Sequence, residues 1–283
     1  MTARQRLIFL LTGWLIVFMP FLFWWYTWFG RPLTDDQIRE YLHDDKHPRH
    51  IQHALVQIGD RMARHDKTVQ HWYPELVRLS SYSVDQIRNT DAWIMGQDNS
   101  VPDFHSALLN MLNDPSVTVR GNAALALVRL GDRSGRPQIV ALLKPITIMA
   151  PQGGTIVDST QVGTVVHQGG LVVKLRTENQ TLEVRSPLTG TIRSTAGGVG
   201  QKVPANRELA TIEPATEQVW EALRALYVIG DLQDLPAITR YERDLPEVPE
   251  RLRQQAKLTE QAIRSRSHQG QTPGKCETGI ACN

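Results

Sequence analysis

The stretch that decides the fold runs from Pro145 to Pro214, where the sequence is written twice. The first copy reads APQGGTIVDSTQVGTVVHQGGLVVKL from Ala150, and the second reads SPLTGTIRSTAGGVGQKVPANRELATI from Ser186. The pairs that match at a shift of 36 residues are Pro151 with Pro187, Gly154 with Gly190, Thr155 with Thr191, and Ile156 with Ile192. After one inserted residue, the pairs that match at a shift of 37 are Gly163 with Gly200, Val166 with Val203, Val172 with Leu209, and Leu175 with Ile212.

Each copy consists of short apolar runs of strand length, rich in Val, Ile and Thr, with Gly where the chain has to turn. A half-sheet of this size cannot bury a face alone. We therefore expect two half-sheets, related by a pseudo-twofold axis, to close on each other and share one core.

Both copies also contain a series with a spacing of three residues, in which a glycine is followed by an aliphatic residue, then Gly or Asn, then another aliphatic residue. The series are Gly163, Val166, Gly169 and Val172, and Gly200, Val203, Asn206 and Leu209. This pattern resembles the biotinyl/lipoyl carrier family, which includes the lipoyl-like modules of bacterial membrane-fusion adaptors. The resemblance covers residues 145–214 and implies an all-β barrel-sandwich hybrid domain.

The resemblance also locates a cofactor acceptor. In the carriers, a lysine at the tip of the hairpin between the two halves takes biotin or lipoate. The join here reads LRTENQTLEVRSP from Leu175, and aligning its end on VRSP puts Asn179 at the acceptor position. Lys174 lies five residues upstream, in a predicted strand. An amide nitrogen is not a nucleophile for this acylation, so we expect no cofactor.

A second signal is the run LIFLLTGWLIVFMPFLFWWYTWF from Leu7 to Phe29, which has 23 residues and no charge. At about 1.5 Å per residue it can span a hydrocarbon core of roughly 30 Å. Its end contains Trp24, Trp25, Tyr26 and Trp28, which is typical of an interfacial belt and not of a signal-peptidase site. The run therefore predicts an uncleaved single-pass membrane anchor.

The orientation of this anchor does not follow from charge, because Arg and Lys residues lie on both sides of it. The short N-terminal tail favours a cytoplasmic N-terminus. The resemblance to envelope adaptors implies that the protein lies in a bacterial inner membrane with the bulk of the chain in the periplasm.

From Leu33 to Lys144 the sequence predicts helices with short breaks. Similar turns begin at Gly96, Gly131 and Gly230, each with a proline six residues after the glycine, and a looser copy contains Gly59. Helical faces lead into two of them. They are Ala123, Ala124, Leu127 and Leu130, and Ala222, Ala225, Leu226 and Ile229. The glycines lie 37, 35 and 99 residues apart. The last interval becomes comparable to the other two when residues 145–214 are removed. The helices therefore resemble a HEAT-like α-solenoid with the β segment inserted.

The predicted fold class is therefore α+β and multidomain. An N-terminal tail and transmembrane helix take residues 1–30, and HEAT-like repeats take 31–144. The lipoyl-like barrel-sandwich domain takes 145–214. A last repeat and an exposed capping helix take 215–266, and a disordered tail takes 267–283.

Two groups of residues are candidate sites. Six of nine histidines lie between His43 and His71, and the segment HDDKHPRHIQH suggests a zinc or copper site. Its candidate ligands are His43, His47, His50 and His53, with Asp44 beside the first. The spacing also fits a solvated helix start, which is the interpretation adopted here. Cys276 and Cys282 can form a small disulfide loop in an oxidising compartment.

No catalytic residues are identified, and a net charge of +2 does not indicate a nucleic-acid partner. We expect a non-enzymatic, membrane-anchored scaffold or adaptor that binds other membrane or envelope proteins and can form oligomers. The alternative is a carrier or assembly component of an enzyme system, either of the biotin/lipoyl type or handling metal through the tract from His43 to His71.

Overall fold

The computed structural model describes residues 3–28, 32–245 and 247–270 of the 283-residue chain. It divides into two units, Met1–Val69 and Gln70–Asn283. The division falls inside the region 31–144 that the sequence assigns to one series of repeats. The second unit contains both the β segment and the helices on either side of it.

The first unit begins with helix α1, Ala3–Trp28. Its segment Arg4–Phe23 has a mean hydropathy of 2.1, and none of that segment is buried. By length and composition it is a candidate membrane span, as the sequence predicts. The side chains of the aromatic residues predicted as a belt, from Trp24 to Trp28, lie outside the described residues.

Helices α2 (Asp35–Leu42) and α3 (Pro48–Ala63) pack against each other and form the apolar core of this unit, and a 3-10 helix at Lys67–Trp72 spans the boundary to the second unit. Thr34 starts α2 with a capping box, in which its hydroxyl accepts from the backbone N–H of Gln37 and the Gln37 side chain accepts from the backbone N–H of Thr34. Arg61 of α3 links the two helices, because its guanidinium donates to the carboxylate of Asp35, the first residue of α2, at 2.6 Å, and to the carbonyl oxygen of Leu33 just before α2 at 2.8 Å.

The second unit contains eight further α-helices among the described residues. Before the β segment they are α4 (Tyr73–Leu79), α5 (Asp85–Met95), α6 (Pro102–Met111), α7 (Val117–Arg129) and α8 (Arg136–Ala141). After it they are α9 (Thr216–Ile229), α10 (Leu235–Thr239) and α11 (Glu250–Gly270), with a 3-10 helix at Leu232–Asp234 between α9 and α10.

The two apolar faces predicted for these helices are buried, with one exception. Ala123, Ala124 and Leu127 of α7 are fully buried, whereas Leu130 is half-buried at the end of that helix. All four positions predicted in α9, from Ala222 to Ile229, are buried. Small residues on these faces let neighbouring helices approach closely, and α7 packs against α5, α6, α8 and α9.

The turns between helices repeat a hydrogen-bond pattern. Asp98 and Asp132 each accept from the backbone N–H and the hydroxyl of the serine two residues on. Gly131, immediately before Asp132, has a φ of +82°, a left-handed conformation that glycine adopts without steric cost.

The fourth turn, predicted at Gly59, was placed wrongly. Gly59 lies inside α3, which continues to Ala63 because Ile58 and Met62 extend its buried apolar face beyond the glycine. This packing outweighs the roughly 1 kcal/mol by which glycine disfavours a helix interior. The turn comes later, where His65 has a φ of +58° and Asp66 accepts from Thr68.

The β segment forms two four-stranded antiparallel sheets, ordered β1-β8-β6-β3 and β5-β4-β2-β7. Its strands are β1 (Ile146–Met149), β2 (Gly154–Ser159), β3 (Val165–Val166), β4 (Leu171–Arg176), β5 (Thr181–Arg185), β6 (Gly190–Thr195), β7 (Lys202–Val203) and β8 (Glu208–Pro214). The strands β1 and β5 lie immediately before the two quoted copies, which begin at Ala150 and Ser186. When each is counted with the copy that follows it, the first copy supplies β1 to β4 and the second supplies β5 to β8. Each sheet therefore takes two strands from each copy.

The pairing is the same in both halves. Gly154 of β2 pairs with Val203, and its equivalent Gly190 of β6 pairs with Val166. The turns correspond as well: Gly163 and Gly200 have φ values of +86° and +92°, and Gly169 and Asn206 have +76° and +59°. Asn is among the few other residues that adopt this conformation routinely, which explains its position in the second copy.

One apolar core lies within the β segment and includes side chains from both sheets. Equivalent positions of the two copies are equally buried, with exposures of 1% and 0% at Ile156 and Ile192, and 0% at both Leu175 and Ile212. Exchange of strands between the copies gives each half-sheet the neighbour that it needs to bury its face.

The β segment leaves and rejoins the helices at one place. Ile146, the first residue of β1, pairs with Ile212 of β8. Helices α8 and α9, which precede and follow the segment, pack against each other. Arg136 at the start of α8 donates to the carboxylate of Asp234 at 3.1 Å, and the hydroxyl of Tyr241 donates to the carbonyl oxygen of Leu143 at 2.7 Å.

The C-terminal helix differs from the exposed cap that the sequence predicts. Helix α11 packs along α9 and buries Leu252, Ala256, Thr259 and Ile263, and the Thr259 hydroxyl donates to the Leu223 carbonyl at 3.0 Å. It extends to Gly270, four residues into the predicted tail. These four residues form a buried stripe along one face of a helix whose other residues are mostly polar or charged. The remainder of the tail lies outside the described residues.

Replacing Gly190 by Ala should destabilise the second unit by about 1–3 kcal/mol. A Cβ atom there would lie 2.2 Å from the backbone oxygen of Glu213 and 2.7 Å from Cγ2 of Ile212. The matched control is Gly198→Ala, since no atom beyond Gly198 and its two chain neighbours lies within 4 Å of the added Cβ. Urea unfolding of the full chain in detergent measures both changes. Equal stability of the two variants would contradict the close β6–β8 approach.

Candidate functional site

The hairpin between β4 and β5 carries the residue that the resemblance aligns with a carrier lysine. Asn179 lies at its exposed tip, in the turn from Thr177 to Gln180. The turn is closed by a hydrogen bond of 2.8 Å from the backbone N–H of Thr177 to the carbonyl oxygen of Gln180. Lys174 lies in β4, opposite Glu183 of β5, and its ammonium is 3.6 Å from that carboxylate. The hairpin tip therefore presents an amide and no amine.

The histidine tract contributes a cluster at the start of α3. The carboxylate of Asp44, in the loop after α2, lies in space between the rings of His47 and His50. The distance from its Oδ2 atom is 2.9 Å to Nδ1 of His47 and 2.7 Å to Nδ1 of His50. These hydrogen bonds from His47 and His50 lower the pKa of the Asp44 carboxyl below its usual value. A carboxylate and two imidazoles are a ligand set suited to a divalent transition metal.

The other two predicted ligands do not join this cluster. Nδ1 of His43 lies 3.0 Å from the carbonyl oxygen of Arg39, and Nε2 of His53 lies 3.3 Å from Nε2 of Gln57. Of the four candidate histidines, the structure brings only His47 and His50 together, and the third group beside them is Asp44. The sequence signal was present, because Asp44, His47 and His50 are each three residues apart.

A groove of about 730 Å³ lies between the end of α4, α5 and α6. Its lining mixes the hydroxyls of Ser80, Ser81, Ser83 and Ser106 with the side chains of Val77, Asn110 and Met111. Arg88 crosses its floor and donates to both carboxylate oxygens of Asp114, at 2.6 and 2.9 Å. Burial alone raises the pKa of Asp114, but hydrogen bonds from Arg88 bring it below its usual value. Three of these hydroxyls donate within the chain, from Ser80 to the Val77 carbonyl, from Ser81 to the Arg78 carbonyl and from Ser106 to the Pro102 carbonyl, at 2.7, 3.2 and 3.2 Å. Their oxygen atoms can still accept hydrogen bonds, which suits contacts with the N–H groups of a polypeptide.

Asp91 in α5 is a buried acid that the sequence did not single out. It is fully buried, and neither carboxylate oxygen has a hydrogen-bond partner among the described residues. Burial raises the pKa of Asp91 well above its ordinary value, and the more distant charge of Arg78 only partly opposes this. A buried acid without a partner is typical either of a functional position or of a position that lowers the stability of the fold.

Cys276 and Cys282, predicted to pair as a disulfide, lie outside the described residues.

Comparisons with known proteins support the helical repeats. The model of the PBS lyase HEAT-like repeat matches residues 119–145, which cover most of α7 and all of α8. No curated protein matches the chain. A solved structure titled "Structure and function of a single-chain, multi-domain long-chain acyl-coa carboxylase" aligns with 44% of this chain and 11% of its own, at 17% identity and a TM-score of 0.25. At that score the alignment carries no argument about fold or activity.

Replacing Asp91 by Asn should stabilise the second unit at pH 7 by about 1–3 kcal/mol. An acid whose pKa is raised on folding stabilises the fold most below its unfolded value, near 3.8, and loses that contribution as the pH rises towards the folded value. The advantage of Asp91→Asn should therefore shrink as the pH falls towards 3.8.

Urea unfolding between pH 4 and pH 8 measures this difference, with Asp103→Asn, at an exposed position of α6, as the control. The control difference should vary much less with pH. A destabilising effect of Asp91→Asn at pH 7 would mean that the ionised carboxylate has a stabilising role in the fold.

Proposed function

We propose that the protein is a non-enzymatic, membrane-anchored scaffold that acts as an accessory subunit of an inner-membrane or envelope-spanning complex. In this proposal α1 is a single-pass anchor and the remainder of the chain lies in the periplasm. The β segment is an unmodified lipoyl-like barrel-sandwich module used for docking or oligomerisation. Other membrane or envelope proteins are the partners.

The observation that carries this proposal is the packing of α8 against α9 on either side of the β segment. A helical layer that continues past an inserted module holds the surface of the helices and the surface of the β segment in one unit. HEAT-like helix pairs generally use their exposed surface to bind proteins. The groove at α4, α5 and α6 is a second supporting feature, since its serine oxygens can accept hydrogen bonds from the backbone N–H groups of an extended segment.

The carrier alternative is weakened by the hairpin tip. Acylation by biotin or lipoate needs an amine at the end of a mobile hairpin, and this position holds Asn179. Lys174 is half-buried in a strand and lies beside Glu183, which restricts its ammonium. We therefore favour a module that works through its surface and not through a bound cofactor.

Purification of the full chain from membranes of its own host, in mild detergent, tests this function. The chain should have its unmodified intact mass and should copurify with other membrane or envelope proteins in a fixed ratio, because a scaffold holds defined partners. Native mass measurement and quantitative peptide analysis report both results. A chain in which an unrelated spanning helix replaces α1 is the matched control and should keep the same partners.

Two outcomes contradict the proposal. Addition of biotin or lipoate to Lys174 would establish the carrier alternative. Recovery of the unmodified chain without any partner in a fixed ratio would refute the scaffold.

A further inference from the structure

Asp44, His47 and His50 form a three-ligand arrangement that the scaffold function does not use. One ligand atom from each side chain lies within 4.8 Å of the other two. The side chains of His47 and His50 are 64% and 42% exposed, so an ion can reach them from solvent, whereas Asp44 is 24% exposed and is held more firmly.

Backbone and ring contacts hold the three groups before any ion binds. The backbone N–H of Asp44 donates to the carbonyl oxygen of Tyr41, and that of His47 donates to the carbonyl oxygen of Asp44, at 3.2 and 3.0 Å. The ring of Tyr41 stacks on that of His50, with centroids 4.4 Å apart and planes inclined by 11°. Pro48 fixes the start of α3 between the two histidines. The site is therefore largely preformed.

The distances suit an ion of the size of zinc. Tetrahedral bonds of about 2.0–2.2 Å to nitrogen and oxygen place neighbouring ligand atoms roughly 3.3–3.5 Å apart. The present separations of 2.9 and 2.7 Å between Oδ2 of Asp44 and the two Nδ1 atoms are those of shared hydrogen bonds. Opening these two separations to coordination distances lengthens each of them by less than about 1 Å.

The charge and proton balance is also consistent. Without an ion, each neutral imidazole donates its Nδ1–H to the carboxylate. When an ion takes both Nδ1 lone pairs and Oδ2, each ring carries its proton on Nε2 instead, where water can accept it. The N-terminal end of α3 repels a cation, and the negative charge of Asp44 offsets that repulsion.

We propose that Asp44, His47 and His50 bind a divalent transition metal ion of the zinc class through two imidazole nitrogens and one carboxylate oxygen, with water in the remaining position. The ion ties the loop after α2 to the first turn of α3. Because these residues belong to the first unit, binding does not depend on the β segment or on the proposed scaffold function.

Zinc titration of the full chain in detergent, followed by calorimetry, tests this site. The protein should carry no polyhistidine tag, should be freed of metal with a chelator, and should contain Cys276→Ser and Cys282→Ser so that thiols do not compete. One zinc ion per chain is expected. Asp44→Asn, His47→Gln and His50→Gln should each weaken binding at least about tenfold.

The matched controls are His43→Gln and His53→Gln, which remove imidazoles of the same tract outside the cluster and should change the affinity less than about twofold. Far-UV circular dichroism checks that each variant is folded. Zinc-dependent protection of the amides from Tyr41 to His53 in hydrogen exchange gives a readout on the chain with its cluster intact.

Three results would overturn the site. They are absence of stoichiometric zinc binding, unchanged affinity in Asp44→Asn, and an equal loss of affinity in the two controls. The last result would assign the ion to the histidine tract in general. The proposed site is established if binding weakens only in Asp44→Asn, His47→Gln and His50→Gln and if zinc protects the amides of the loop from exchange.

Discussion

The pairing of β1 with β8 is the constraint on which the second unit depends. The first strand of the β segment runs antiparallel to its last strand, with Ile146 opposite Ile212, so the chain returns to the place where it left the helices. This return lets α9 take the place beside α8 that the next helix of a repeat would occupy. Without it, the apolar faces of α8 and α9 would lack each other as neighbours.

The β segment meets this constraint through its internal repeat. Each sheet takes two strands from each copy, so neither copy can complete its hydrogen bonding or bury its face without the other. Folding of the segment is therefore coupled to closure of its ends. This coupling gives a physical reason why a module of this size can sit within a helical layer without separating it.

The sequence predicted the features that depend on local pattern. The two copies, matched at shifts of 36 and 37 residues, indicated runs of strand length with turns at the glycines, and the structure has positive φ values at Gly or Asn in equivalent positions of both copies. The buried alanine faces of α7 and α9 followed from helical spacing. The apolar run of α1 was equally clear from length and composition.

The features that escaped prediction depend on tertiary packing. Gly59 resembled a turn residue, but the apolar face of α3 continues past it to Met62. The stripe that packs α11 against α9 was hidden among charged residues. The cluster proposed to bind a metal ion contains Asp44 and not the two outer histidines, because the loop after α2 places the Asp44 carboxylate beside His47 and His50. The buried Asp91 has no signature in sequence.

The two units support different parts of the functional proposal. The first unit combines a candidate membrane span with a preformed two-histidine, one-carboxylate cluster. The second combines HEAT-like helices, one of whose repeats matches a known family model, with an inserted module whose hairpin tip has no acceptor amine. A scaffold needs stable surfaces in fixed relation, and continuity of the helical layer within the second unit supplies that relation.

Hydrogen exchange of α9 in a shortened chain tests the central claim most directly. In this chain a short Gly/Ser linker replaces residues 146–213, which removes the β segment and keeps every helix. If the β segment is an insertion into a continuous helical layer, the backbone amides of Thr216–Ile229 keep the protection that they have in the full chain. Exchange of those amides at the rate of an unfolded peptide would show that α9 depends on the β segment for its structure, and would contradict the account.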